Sequence, residues 1–209
     1  MKKWLETDSF EEAFEKFNDN MGEIEQNLTE PLILKNLIEN GDFSDGASGW
    51  SGIVTPNNVS NKELELNLGA GGFAVTQKTS IEQNELIYIN VKSFVVDGKP
   101  ELAIRLRYGE TNTSDTFRLI GRNETTTDSS IINSTSYSDK IVISRYNIQG
   151  VIRLKEFIFI NLTQIFGEGN EPTKEEMDEI INIIGWFDNE YALSNKEMFI
   201  ALLNMIRKN

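Results

Sequence analysis

Apolar side chains near the start of the chain fall at Phe10, Phe14, Phe17, Met21, Ile24 and Leu28, at intervals of four and three residues, with Glu, Lys, Asn, Asp and Gln between them. That is the a/d spacing of a coiled coil. Asp8 and Ser9, each followed three positions later by a glutamate (Glu11, Glu12), supply a capping-box start, and Pro31 ends the run. The pattern predicts a helix over 8–28. Its apolar stripe either packs on the chain's own body or forms a seam between identical chains. Strict heptad spacing in so short a helix favours the seam, and large aromatic residues suit a bundle wider than a dimer.

From residue 32 onward the period changes from helical to two. Leu64, Leu66 and Leu68 alternate with Glu65 and Asn67, and Leu102, Ile104, Leu106 and Tyr108 alternate with Arg105 and Arg107. Such alternation means one face buried and one wet, as in an antiparallel sheet. Strands are predicted at 32–38, 63–68, 72–77, 85–96, 101–108, 116–120, 140–145 and 151–160. The Asn40–Gly41 pair marks a tight turn. The stretch 123–139, rich in Thr, Ser and Asn, is expected to be a long loop. This many short strands with Gly, Asn and Ser turns read as a sandwich or jelly roll.

The helical period returns near the end. Thr173 and Glu176 form a capping box, Met177, Ile180, Ile181 and Ile184 give an apolar face, and Gly185 is the expected stop. Trp186 and Phe187 should pack back on the sandwich. Ser194 with Glu197 opens one more helix carrying Met198, Phe199, Leu202, Leu203 and Ile206, which docks on its own chain or on a neighbour. The fold class is thus mainly β: an antiparallel sandwich with an N-terminal coiled-coil-like helix and C-terminal helices. Three parts are expected: residues 1–31 for oligomerisation or attachment, 32–190 for the sandwich with its closing helix, and 191–209 for the terminal amphipathic helix.

Composition narrows the chemistry. The chain has 209 residues, 39% of them hydrophobic, so a core can form without a disulfide or metal. It holds no cysteine and no histidine, which excludes thiolate catalysis, zinc sites of the usual kind and any Ser–His dyad. The acids are scattered, with no pair set in an apolar neighbourhood, so no enzyme is expected. No cofactor and no metal is expected either. A formal net charge of −13 opposes nucleic-acid binding. No stretch reaches the ~20 apolar residues of a membrane helix, and no apolar run follows Met1–Asp8 as in a signal peptide. The expectation is a protein made in the cytoplasm that stays soluble or joins an assembly there, with no membrane partner.

Three segments carry resemblances. The Phe-x-x-Phe-Asn core from Phe14 to Asn18 resembles attachment segments at the start of phage tail appendages. Asn36-Leu37-Ile38-Glu39-Asn40-Gly41-Asp42-Phe43-Ser44, continuing through Gly46 and Gly49 to Trp50, resembles the opening of jelly-roll carbohydrate-binding modules. Phe43 and Trp50 would then plug one end of the sandwich, and Asp42 lies in the turn that matches a structural calcium site in such modules. Ile160-Asn161-Leu162-Thr163 through Phe166-Gly167-Glu168-Gly169-Asn170-Glu171-Pro172-Thr173 to Trp186-Phe187 looks like the closing segment of tail and minor structural proteins from phages and prophages of low-GC Gram-positive bacteria.

Together the resemblances imply a virion structural protein of a tail fibre, baseplate or similar appendage. It would be homotrimeric through Phe10, Phe14, Phe17, Met21, Ile24 and Leu28 and in contact with other virion proteins. The alternative they imply is a receptor-binding module for host cell-wall carbohydrate. Sugar rings stack on exposed aromatic faces. Tyr88, Tyr108, Phe117, Tyr137 and Tyr146 are the aromatic candidates, with Tyr108, Phe117 and Tyr137 put forward as the binding set. Arg105 and Arg107 should line a solvated sheet face, or equally contact an anionic wall polymer.

Overall fold

The structure is a computed structural model that describes residues 31–52, 59–60, 62–67, 74–108, 112–120, 122, 124–145, 149–194 and 196–197. The heptad segment and its six stripe residues lie outside these, as do Tyr146 and the terminal helix beyond Glu197.

Twelve strands and two helices run through the described residues. They are β1 Leu32–Lys35, β2 Ser51–Gly52, β3 Val59–Ser60, β4 Glu63–Asn67, β5 Ala74–Ile81, β6 Leu86–Gly98, β7 Glu101–Tyr108, β8 Asn112–Ile120, β9 Thr126–Asn133, β10 Ser138–Arg145, β11 Gly150–Asn161, α1 Leu162–Phe166, α2 Lys174–Ile184 and β12 Glu190–Leu193. Ten strands make two five-stranded antiparallel sheets. Sheet I has the order β2-β5-β10-β7-β8 and sheet II the order β3-β4-β11-β6-β9. Leu102, Ile104, Leu106, Ile141 and Ile143 from sheet I meet Leu64, Leu66, Ile87, Ile89, Val91, Ile152, Leu154 and Phe159 from sheet II in one buried cluster. The fold is therefore an antiparallel β-sandwich, as the period-two alternation predicts.

The aromatic plug is in place. Phe43 and Trp50 are buried with ring centroids 5.5 Å apart. Phe157 lies 6.1 Å from Phe43, edge-on, and 5.7 Å from Trp50. Asn40 ties the turn by donating to the carbonyls of Gly46 and Ser48 and accepting from the Asp45 amide. Burial works against the Asp42 carboxylate, but the Ser44 hydrogen bonds and Lys62 at 3.5 Å hold it below the ordinary range. Among the described residues no group of three or more acidic side chains is set to hold a metal, and no helix is long and apolar enough to cross a membrane.

Three departures from the pattern have physical reasons. The stretch expected as a loop over 123–139 contains β9, whose eight residues pair in register with Leu86 to Ser93 of β6. β9 is an edge strand, so a polar sequence with only Ile132 buried does not prevent the ladder. The first apolar run is not a sandwich strand. β1 pairs with β12, Leu32 opposite Leu193 and Lys35 opposite Glu190, in a separate two-stranded sheet. β12 itself was not expected, and it runs across the predicted boundary at 190/191. Third, the run Phe157–Ile160 is apolar at every position because both its sides are covered. Phe157 and Phe159 face the sandwich core, while Ile158 and Ile160 face a second core with Leu34, Tyr88, Leu162, Met177, Ile180, Ile181 and Phe187.

The second core seats α2. Thr173 and Glu176 form the reciprocal capping box, and Gly185, at φ 75°, ends the helix with its amide on the Ile181 carbonyl. Ser194 and Glu197 exchange the same pair of bonds at the start of the next helix.

Candidate functional site

The outer face of sheet II is divided by one irregularity. Along β11, Arg153 and Lys155 point outward, then a bulge between Lys155 and Ile158 inserts a residue and Ile158 and Ile160 take the outward side. Glu156, inside the bulge, has φ 54°. That left-handed conformation is costly for a side chain with a Cβ. Bulges redirect side chains in this way. The upper half of the face is thereby apolar and roofed by α1, α2 and the β1–β12 pair. The lower half is polar and open.

One large apolar ring stands in the open half. Phe94, 36% exposed, sits directly opposite Arg153, and Val96, 44% exposed, follows it on the same face of β6. Ion pairs fix the groups around the ring. Arg153 Nε lies 3.0 Å from Glu65 Oε2 and its Nη1 3.8 Å from Glu63 Oε2. Lys155 Nζ lies 3.3 Å from Glu63 Oε1, and Lys92 pairs with Glu156.

Three hollows run together here. One of ≈ 230 Å³ is lined by Glu63, Lys92, Ser93, Phe94, Thr125, Arg153 and Lys155. A second of ≈ 470 Å³ is lined by Asp42, Lys62, Lys155, Glu156 and Trp186. A third of ≈ 140 Å³ shares Lys92, Glu156 and Trp186. The shared residues make one groove, from Phe94 at one end to Trp186 where the helical layer begins. Trp186 is half-buried and donates from its Nε1 to the Phe157 carbonyl at 3.2 Å, so its indole is held at a set angle. Between the two rings lies a rail of lysine, arginine and glutamate groups held in place by one another.

The aromatic residues singled out in the sequence are scattered. Phe117 is partly buried and packs against the sandwich core. Tyr88 is fully buried in the second core. Tyr137 is 39% exposed in the turn before β10, on the other sheet. Tyr108 is the last residue of β7. Phe94 and the groove role of Trp186 were not read from the sequence. Phe94 stands in a nearly continuous apolar stretch, and its only signal is the parity it shares with Lys92 rather than with Val91.

The fold and its groove define an antiparallel two-sheet sandwich with one sheet face open beside a helical layer. No family model matches the chain, and no curated protein matches it. Solved structures overlap with part of it. The N-terminal cellulose-binding domain of Cellulomonas fimi β-1,4-glucanase C overlaps with TM-score 0.45 and 11% identity, over 58% of this chain and 95% of that one. A structure described as "CBM4 structure and function" gives 0.44 and 11%, over 56% and 97%. The enzymatically active domain of bacteriophage CBA120 tailspike protein 4 gives 0.42 and 18%, over 59% of this chain and 21% of that one. These values assign the chain to no family.

Proposed function

We propose that the chain is a non-enzymatic structural protein of a phage tail fibre, baseplate or similar appendage, and that its sandwich binds host cell-wall carbohydrate in the groove between Phe94 and Trp186. The observation that carries this reading is the groove itself: two aromatic rings at its ends and ion-paired donors and acceptors between them. A sugar offers a C–H face for a ring and hydroxyls for fixed polar groups. Side chains already held by neighbours lose little freedom on binding. In this reading the heptad stripe from Phe10 to Leu28 joins three copies, and the sandwiches project from the virion.

The test is co-sedimentation of the full chain with purified host walls. Wild type is expected in the pellet, and Phe94→Ala, which alters an exposed ring, is expected to bind about tenfold more weakly. Equal sedimentation of the two, or none by wild type, would overturn the groove.

A further inference from the structure

The hollow of ≈ 140 Å³, where the groove meets the helical layer, differs in chemistry from the rail beside it. Its floor comes from sheet II. Tyr88, Asn90 and Lys92 share the outer face of β6. The bulge at Glu156 turns Ile158 of β11 to the same side, directly opposite Asn90. Its wall comes from the end of α2 and the residues after it, with Ile181, Asn182 and Trp186 lining it.

The floor holds a buried amide that is only half used. Asn90 is 6% exposed. The Tyr88 hydroxyl gives its proton to Asp178 and so meets Asn90 as an acceptor, taking a bond from Nδ2 at 3.1 Å. That contact fixes the orientation of the amide. Among the described residues nothing donates to its Oδ1. A carbonyl oxygen on so buried a side chain calls for a donor from outside the fold. On the wall, Asn182 is exposed, and its side-chain amide bonds to no described residue.

We propose that this hollow receives the acetamido group of an N-acetylated amino sugar, so that the glycan bound in the groove is of the N-acetylhexosamine class. The proposal rests on the reading of the groove as a carbohydrate site and names its ligand class. Size selects a substituent rather than a ring, since this is the smallest of the three hollows, against ≈ 230 and ≈ 470 Å³. Charge selects a neutral one. Lys92 and Glu156, which border the hollow, neutralise each other and leave no net charge for a carboxylate or phosphate. Asn90 Oδ1 needs an N–H or O–H, and the apolar Ile158, Ile181 and Trp186 beside it suit a methyl group. A hydroxyl supplies only the first. An acetamido group supplies both, and its carbonyl remains for the Asn182 amide.

The test compares binding of the full chain to tetra-N-acetylchitotetraose and to cellotetraose by titration calorimetry. The two oligomers differ only in carrying an acetamido group or a hydroxyl on the second carbon of each ring. The acetylated oligomer is expected to bind at least about tenfold more tightly. Asn182→Ala changes an exposed helix residue and is expected to weaken that binding roughly two- to tenfold without touching cellotetraose. Asn90→Ala should remove most of the preference, with its unfolding midpoint measured alongside to separate folding from binding. Equal binding of the two oligomers would mean that water fills the hollow, and it would overturn the proposal. So would no binding of the acetylated oligomer, or a preference that both substitutions leave intact. Host-wall sedimentation reports on the groove separately: walls bound with no oligomer preference strike the acetamido pocket alone, and walls not bound by wild type strike the groove.

Discussion

The Tyr88 hydroxyl donates to Asp178 Oδ1 at 2.8 Å, joining the start of β6 to α2. Asn90 Nδ2 donates to the same hydroxyl at 3.1 Å, and Lys174 holds the other carboxylate oxygen at 2.6 Å. Burial first, then the bond to Asp178 and its charge, push the Tyr88 hydroxyl far above the ordinary tyrosine range. Folding therefore keeps a proton that the unfolded chain releases near pH 10, so this contribution is whole below pH 10 and shrinks as pH rises above it. Tyr88→Phe should cost about 1–2 kcal/mol at pH 7 by denaturant unfolding. It should also flatten the fall in stability above pH 10. An equally steep fall in the variant would show that another group is responsible.

Asn36 deserves a test of its own because a single side chain meets four backbone groups. Its Nδ2 donates to the carbonyls of Phe157 and Phe187, and its Oδ1 accepts from the amides of Ile38 and Phe159. It is 4% exposed. It thereby ties the segment after β1 to β11 and to the chain after α2. Asn36→Ala leaves those groups buried without that partner and should destabilise the chain by at least about 3 kcal/mol. Asn36→Asp should fare little better, since a carboxylate cannot donate to the two carbonyls. A loss under about 1 kcal/mol for either variant, measured by chemical unfolding, would mean that water replaces the amide.

How far the sequence could be read follows from what each feature depends on. Capping at Thr173 and Glu176, the stop at Gly185, the turn that carries Phe43 and Trp50 and the alternation over 102–107 depend on neighbours a few residues away, and all were legible; the third ring of the plug, Phe157, comes from far along the chain and was not. β9 was not, because an edge strand needs only a partner ladder and its polar residues resemble a loop. β12 was hidden for a similar reason: its four residues gain meaning only from β1, far away in sequence. The groove depends on the bulge at Glu156, which reverses the side on which β11 presents its apolar residues.

The turn that follows Asn36 makes a sharp prediction about two glycines. A Cβ on Gly41 would stand 2.7 Å from the Phe157 carbonyl oxygen and 3.1 Å from Ile38 Cγ2. The nearer neighbour is backbone and cannot turn aside. Gly46 has open space around its Cβ position, and only its φ of 58° opposes a side chain. Gly41→Ala should therefore cost about 1–3 kcal/mol through overpacking, against about 1 kcal/mol for Gly46→Ala. Thermal unfolding of the two variants side by side checks the order, and a reversed order would place the tight contact elsewhere.

Glu156 offers a way to separate stability from binding. Its left-handed backbone costs a residue with a Cβ roughly 1 kcal/mol that glycine does not incur. In return its carboxylate meets Lys92 in the groove, and both side chains of that pair are partly exposed, so the pair adds little to folding. In the proposed reading that strain is kept for the carboxylate it places in the groove. Glu156→Gly should accordingly leave the midpoint of unfolding unchanged or higher by up to about 1 kcal/mol. It should still weaken wall binding, since Lys92 loses the partner that fixes it beside Phe94 and Trp186. Glu156→Asn, which tolerates the same backbone but lacks the charge and the reach, should behave alike. If both variants unfold more readily and bind walls as wild type does, the carboxylate belongs to the fold and not to the groove.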